Sequence, residues 1–153
     1  MPHEFTIDPH TGAIYITGFS LVLRAGVAQP DVFAALSTLP WSHADHGNGY
    51  EWLNFEGLSF GGQPADLSVS FHQGLLREVG WGVDLRPASA DPSSWPSRKE
   101  CDQEIAFVRG VLRDVLSRPF TSGQERFPWG EVWSLFDERG GFACAGLRYD
   151  PLT

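Results

Sequence analysis

The chain has 153 residues, of which 42% are apolar and 20% charged, and it carries a net charge of −8. That balance is globular and excludes a disordered or collagen-like chain, while the excess of acid disfavours wrapping nucleic acid or settling on anionic lipid, both of which need clustered Lys and Arg. No apolar run nears the ~20 residues of a bilayer span, and the N-terminus lacks the basic and then apolar regions of a signal peptide, so a cytoplasmic protein with no membrane and no nucleic-acid partner is expected.

Taken in chain order, Phe5–Ile7 and Ala13–Ile16 flank a turn with Pro9 and Gly12 where fixed and positive φ are wanted, which predicts a hairpin. Phe19, Leu21 and Leu23 alternate with Ser20, Val22 and Arg24, a period of two that predicts a third strand. Asp31 can cap a short helix over about 31–39, with Val32, Phe33, Leu36 and Leu39 on one side and Pro40 as its stop. Ser42–Gly49 reads as a polar loop. Tyr50–Glu56 and Leu58–Phe60 are strand-like around a bulge at Gly57, and Gly61-Gly62-Gln63-Pro64 predicts a turn. Leu67, Val69 and Phe71, then Leu75, Val79, Trp81, Val83 and Leu85, fall on alternate positions on either side of His72-Gln73-Gly74, which predicts a hairpin with one apolar face that Arg77 interrupts.

A Pro- and Ser-rich loop over 86–96 carries Trp95 and leads into Ser97 and Glu100, the spacing of a capping box. Cys101, Ile105, Val108, Leu112 and Val115 then mark the apolar stripe of a long helix over about 97–118. Glu131–Phe136 and Phe142–Tyr149 close the chain as a hairpin. Two helices cannot connect this many strands in parallel, so the fold class expected is α+β: a mainly antiparallel sheet with the long helix packed on it, in a single domain over 1–153.

Few residues offer chemistry. His43, Asp45 and His46 are the one close set of metal-capable side chains, too few for a zinc site, so no metal and no cofactor are expected. Cys101 and Cys144 read as reduced core thiols; Cys101 lies at a helix N-terminus, but Glu100, Asp102 and Glu104 crowd it with negative charge. The strand-associated acids Glu51, Glu56, Asp84 and Glu131 would act as paired carboxylates only if the fold brought them into one cleft, and a wet sheet face is their ordinary place. Gly61-Gly62 and Gly140-Gly141 are turns, because no phosphate-cradling helix follows either. Trp81 and one of Trp129 and Trp133 belong to the core, whereas Trp41, Trp52 and Trp95 lie in or beside loops.

The stretch Phe127-Pro128-Trp129-Gly130-Glu131-Val132-Trp133-Ser134-Leu135-Phe136-Asp137-Glu138-Arg139-Gly140-Gly141-Phe142 resembles the closing hairpin of small bacterial proteins. Together with size, acidity and strand-rich order, it resembles the immunity proteins that protect bacteria from polymorphic or secreted toxins. The resemblance implies a protein-binding module that neutralises a cognate protein toxin, basic or neutral in charge, and it assigns no residue a role. The residues expected to meet that partner are exposed acids and loop aromatics: Trp41, Asp45, Glu51, Trp95, Asp137 and Glu138. The alternative is a small-molecule-binding protein or enzyme using a pocket between helix and sheet; with no recognisable nucleophile, enzyme is the lesser expectation. A structural subunit that forms homo-oligomers is a third possibility.

Overall fold

The computed structural model describes residues 3–86, 91 and 93–151. Its elements are β1 (His3–Ile7), β2 (Ile14–Ile16), α1 (Gln29–Leu36), β3 (Trp41–Asp45), β4 (Tyr50–Phe60), β5 (Gln63–His72), β6 (Leu75–Val83), α2 (Arg98–Leu116), β7 (Gln124–Phe127), β8 (Gly130–Asp137) and β9 (Phe142–Tyr149). The strands form one curled sheet in the order β2-β1-β4-β5-β6-β9-β8-β7, with β3 also paired to β4. Every pairing is antiparallel except that of β1 with β4, so the α+β class with a mainly antiparallel sheet is what forms. Among the described residues, no helix is long and apolar enough to cross a membrane.

Alternation decides the faces. Leu67, Val69 and Phe71 of β5, Val79, Trp81 and Val83 of β6, and Ala145, Leu147 and Tyr149 of β9 are buried in one core, joined by Val32 and Leu36 of α1 and Val108, Leu112 and Leu116 of α2. The opposite face carries Trp52, Ser68, Ser70, Glu78 and Arg148 and lies away from both helices. The sheet curls until its ends meet: the Trp129 indole donates to the Pro9 carbonyl at 3.0 Å, and its ring lies where a side chain on Gly12 would have to be. Glu4 ties β1 to the β4–β5 turn by accepting from the Ser59 hydroxyl and from the amides of Gly61 and Gly62.

The capping box forms, with Ser97 accepting from the Glu100 amide and Glu100 accepting from the Ser97 amide, and Ser117 ends α2 in the left-handed conformation. Within the expected stripe Cys101, Val108 and Leu112 are buried, while Ile105 and Val115 are half-buried and Leu116 completes it. The bulge at Gly57 is present as a register shift between Phe55 and Leu58.

Several expectations give way. Residues 19–24 are not a strand: Leu23 alone bridges to Ile14, because Phe19 and Leu21 lie against the core from a loop. The polar stretch after Pro40 is not all loop, since residues 41–45 pair with β4 as an edge strand whose side chains have no core to face. The turn after Phe60 is only Gly61-Gly62; Gln63 and Pro64 already belong to β5. The short helix starts earlier and stops at Leu36, with Asp31 inside its first turn rather than at its cap. Arg77 is an extra residue in β6, so Leu76 takes the core position and Leu75 is left exposed. The strand β7 has no counterpart in the sequence reading. Of the loop read over 86–96, residues 87–90 and 92 lie outside the described residues.

Candidate functional site

A cleft of about 640 Å³ opens where β6 and β9 part company. Their ladder ends at Trp81–Ala145, but β6 runs on to Val83, whose amide faces the place that β9 has vacated. A buried amide without a partner costs free energy, and α2 supplies one: Glu104 accepts from Val83 N–H at 3.2 Å. On the neighbouring strand Asp66 Oδ1 accepts from Gly82 N–H at 2.8 Å, and a side chain on Gly82 would press against that carboxylate. Acids thus satisfy both amides, Glu104 the one left by the opening of the sheet and Asp66 the next one on the β5 side, and both carboxylates line the gap.

Glu56, Asp66, Asp84, Glu100 and Glu104 all line the cleft, and Arg86 is the one cation among its lining residues. Arg86 lies 3.6 Å from Asp84, donates to the Ser94 carbonyl and favours the charged form of Glu100, so one cation serves several acids. Loss of water around Asp66 pushes its carboxyl up, against the pull of the Gly82 amide, and the charges of Glu56 and Asp84 add to the rise. Glu104 is pushed up in the same way, by burial first and then by Asp66 and Asp84, while Val83 N–H opposes. Glu100 is held down by its hydrogen bonds to Ser97. An incoming ammonium or guanidinium would relieve this repulsion, so the arrangement favours cations.

The six residues expected to meet a partner fall into two groups. Trp95, 69% exposed, donates its indole N–H to the Gly141 carbonyl at 3.1 Å in the β8–β9 turn, which also carries Asp137 and Glu138. These three stand together at one rim of the cleft, since Pro96 and Ala143 line it. Asp137 is occupied in accepting from the amides of Arg139 and Gly140, whereas Glu138 is exposed. Trp41, Asp45 and Glu51 share the β3–β4 hairpin: Asp45 lies across from Glu51, and Trp41 packs edge-on against Phe33 with ring centroids 4.8 Å apart. That hairpin adjoins the cleft through Glu56, whose amide donates to the Pro40 carbonyl.

His43 Nε2 lies 3.0 Å from a Glu51 carboxylate oxygen, and among the described residues no group of three or more His, Cys, Asp or Glu is arranged to hold a metal. Cys101 is buried in α2, and burial pushes the Cys144 thiol up. Of the four strand-associated acids read from the sequence, Glu56 and Asp84 line the cleft while Glu51 and Glu131 do not; the sequence reading missed Asp66 and Glu104, whose only sequence signal is an acid beside a strand end and an acid one turn into a helix. No protein-family model, curated protein or solved structure matches the chain.

Proposed function

We propose that the chain is a protein-binding module of the immunity type, which captures a basic bacterial toxin in the cytoplasm of the cell that makes both. The observation that carries this reading is the cleft in which five carboxylates face one arginine. A lysine or arginine of the toxin enters it, and the exposed Trp95 and Trp41 on the adjoining turn and hairpin supply apolar anchorage. The net charge of −8 steers such a partner inward and raises the encounter rate above the unsteered ~10⁵ to 10⁶ M⁻¹s⁻¹.

Co-expression with the product of the adjacent gene tests the reading. A complex is expected whose association slows steeply as salt rises, and which Asp66→Asn with Glu104→Gln weakens about tenfold or more, the scale of losing one charged contact. No complex, or one indifferent to both salt and the double substitution, would overturn it. A second reading, a small organic cation held between α2 and the sheet, is favoured by the cleft's volume, which falls within the ~300 to 1,000 Å³ of ligand pockets. Saturable binding of a diamine to the isolated protein would support that one instead.

A further inference from the structure

A second, smaller cup of about 410 Å³ lies on the sheet face turned away from the helices, lined by Tyr50, Trp52, Ser70, Arg77, Glu78 and Arg148. Register builds it. Trp52, Ser70, Glu78, Arg148 and Glu131 stand opposite one another on successive strands, so their side chains form one row across β4, β5, β6, β9 and β8. Arg77, the residue left unpaired between Glu78 and Leu76, adds a second guanidinium that a regular ladder would have sent to the other face.

The charges in this row are unequal in their commitments. Arg148 is held by Glu78 at 2.7 Å and by Glu131 at 3.6 Å, so its charge is already matched by carboxylates. Arg77 donates Nε to the Tyr149 carbonyl at 3.1 Å, which fixes its plane, and among the described residues no carboxylate pairs with it. At the floor Ser70 is only 2% exposed, and it lines the cup with its remaining surface. A fixed guanidinium fork matches the two oxygens of a carboxylate, and a hydroxyl beside it can donate to one of them. Beside them stand the faces of Trp52 and of Tyr50, whose ring is stacked on His72 at 4.4 Å.

We propose that this cup binds a carboxylate carried on a flat apolar body: Arg77 and the Ser70 hydroxyl hold the carboxylate, and Trp52 and Tyr50 hold the body. A neutral sugar would use the aromatic walls but leave Arg77 without a counter-charge, and a cation would lie against that same uncommitted guanidinium. The carboxylate can come from a free small acid or from the C-terminus of a peptide. This site shares no lining residue with the acidic cleft, and toxin capture enters neither outcome of its test.

Isotope-labelled full-length protein is titrated with benzoate, with its neutral counterpart benzamide, and with N-acetylphenylalanine, whose carboxylate is placed as at a chain end. Benzoate and N-acetylphenylalanine should shift the Trp52 indole and Arg77 Nε resonances saturably, at concentrations of about 1 mM for fragments of this size, and benzamide should not. The tighter of the two acids identifies the source. Ser70→Ala, which removes that hydroxyl, should weaken binding about tenfold, the scale of one charge-assisted hydrogen bond, and Arg77→Lys should do the same. Equal shifts from benzamide and benzoate, no shift from either acid, or undiminished affinity in Ser70→Ala would overturn the proposal; the last holds even if Arg77→Lys fails to fold.

Discussion

The Tyr149 hydroxyl donates to the Gly12 carbonyl at 2.7 Å, joining the last strand to the first turn across 137 residues of sequence. Tyr149 is 2% exposed, so Phe in its place would leave that carbonyl unpaired in the core. Tyr149→Phe should cost about 1 to 3 kcal/mol in urea unfolding, the penalty of an orphaned buried acceptor. Burial also pushes the phenol up, so the folded chain keeps its proton where the unfolded chain loses it. Stability from this group is complete below the unfolded value and lost as pH climbs beyond about 10, and Tyr149→Phe should flatten that alkaline fall. A cost below about 0.3 kcal/mol would mean the contact does not hold the sheet's ends together.

Glu104 carries a linkage of the same sign in the acid range. Its carboxyl is raised above the ordinary 4.5, so the folded state favours the protonated form. The stability this gives is full below 4.5 and lost as pH rises through the folded value, which leaves a desolvated charge in the protein at neutral pH. Gln keeps an oxygen for the Val83 amide and removes the charge. Glu104→Gln should therefore stabilise at pH 7 by a few tenths to about 1 kcal/mol, with the gain fading below pH ~4, while binding of a basic partner weakens. Thermal melts across pH check it; a gain that grows on acidification would contradict the assignment.

Trp81 is buried against Phe5 and Phe60, yet its indole N–H has no partner among the described residues. Trp81→Phe sheds that unpaired donor along with some packing, so the two effects should nearly cancel, within about 1 kcal/mol. Trp81→Ala and Leu112→Ala, which open cavities, should each cost about 2 to 5 kcal/mol. If Phe proved as damaging as Ala, the indole nitrogen would have to be making a bond that the structure does not contain.

Gly61 and Gly62 both have positive φ, but only at Gly61 would a methyl group run into Val111 and Phe107 of α2; at Gly62 nothing lies within 4 Å. Gly62→Ala should carry the backbone strain alone, about 1 kcal/mol, and Gly61→Ala at least ~1 kcal/mol more because the helix must shift. Equal costs would mean that α2 does not bear on this turn.

The elements that were legible in the sequence are those in which one face is buried. The β5–β6 hairpin shows itself through Leu67, Val69, Phe71, Val79, Trp81 and Val83, and α2 through its capping box and the spacing of Cys101, Val108 and Leu112. Trp41–Asp45 and Gln124–Phe127 are edge strands at the two sides of β4 and β8, mostly exposed, so backbone pairing places them without any apolar rhythm to read. Leu23 and its neighbours show the converse, a period of two spent on loop packing. The cleft was illegible because its acids come from β4, β5, the end of β6 and α2, and what assembles them is the parting of β6 from β9, a property of the sheet's curl that no local pattern encodes.

One edge of β4 is divided between two neighbours: β3 runs antiparallel along Glu51–Phe55, and β1 runs parallel along Leu58 and Ser59, with the Gly57 bulge between them. The meander from β3 to β6 closes only short loops, whereas Glu4 must find Ser59 across 55 intervening steps of chain. Loop closure of that length is slow to nucleate, so the N-terminal hairpin is expected to dock late in refolding and to be the part that opens most readily from the native state. Amide exchange at Phe5 and Ile7 should then run ahead of exchange at Leu67 and Val79. A molecule caught with that hairpin undocked would expose Phe60, Trp81 and the underside of α2 together, so the lifetime of its first strand sets how long a freshly made chain stays prone to aggregate.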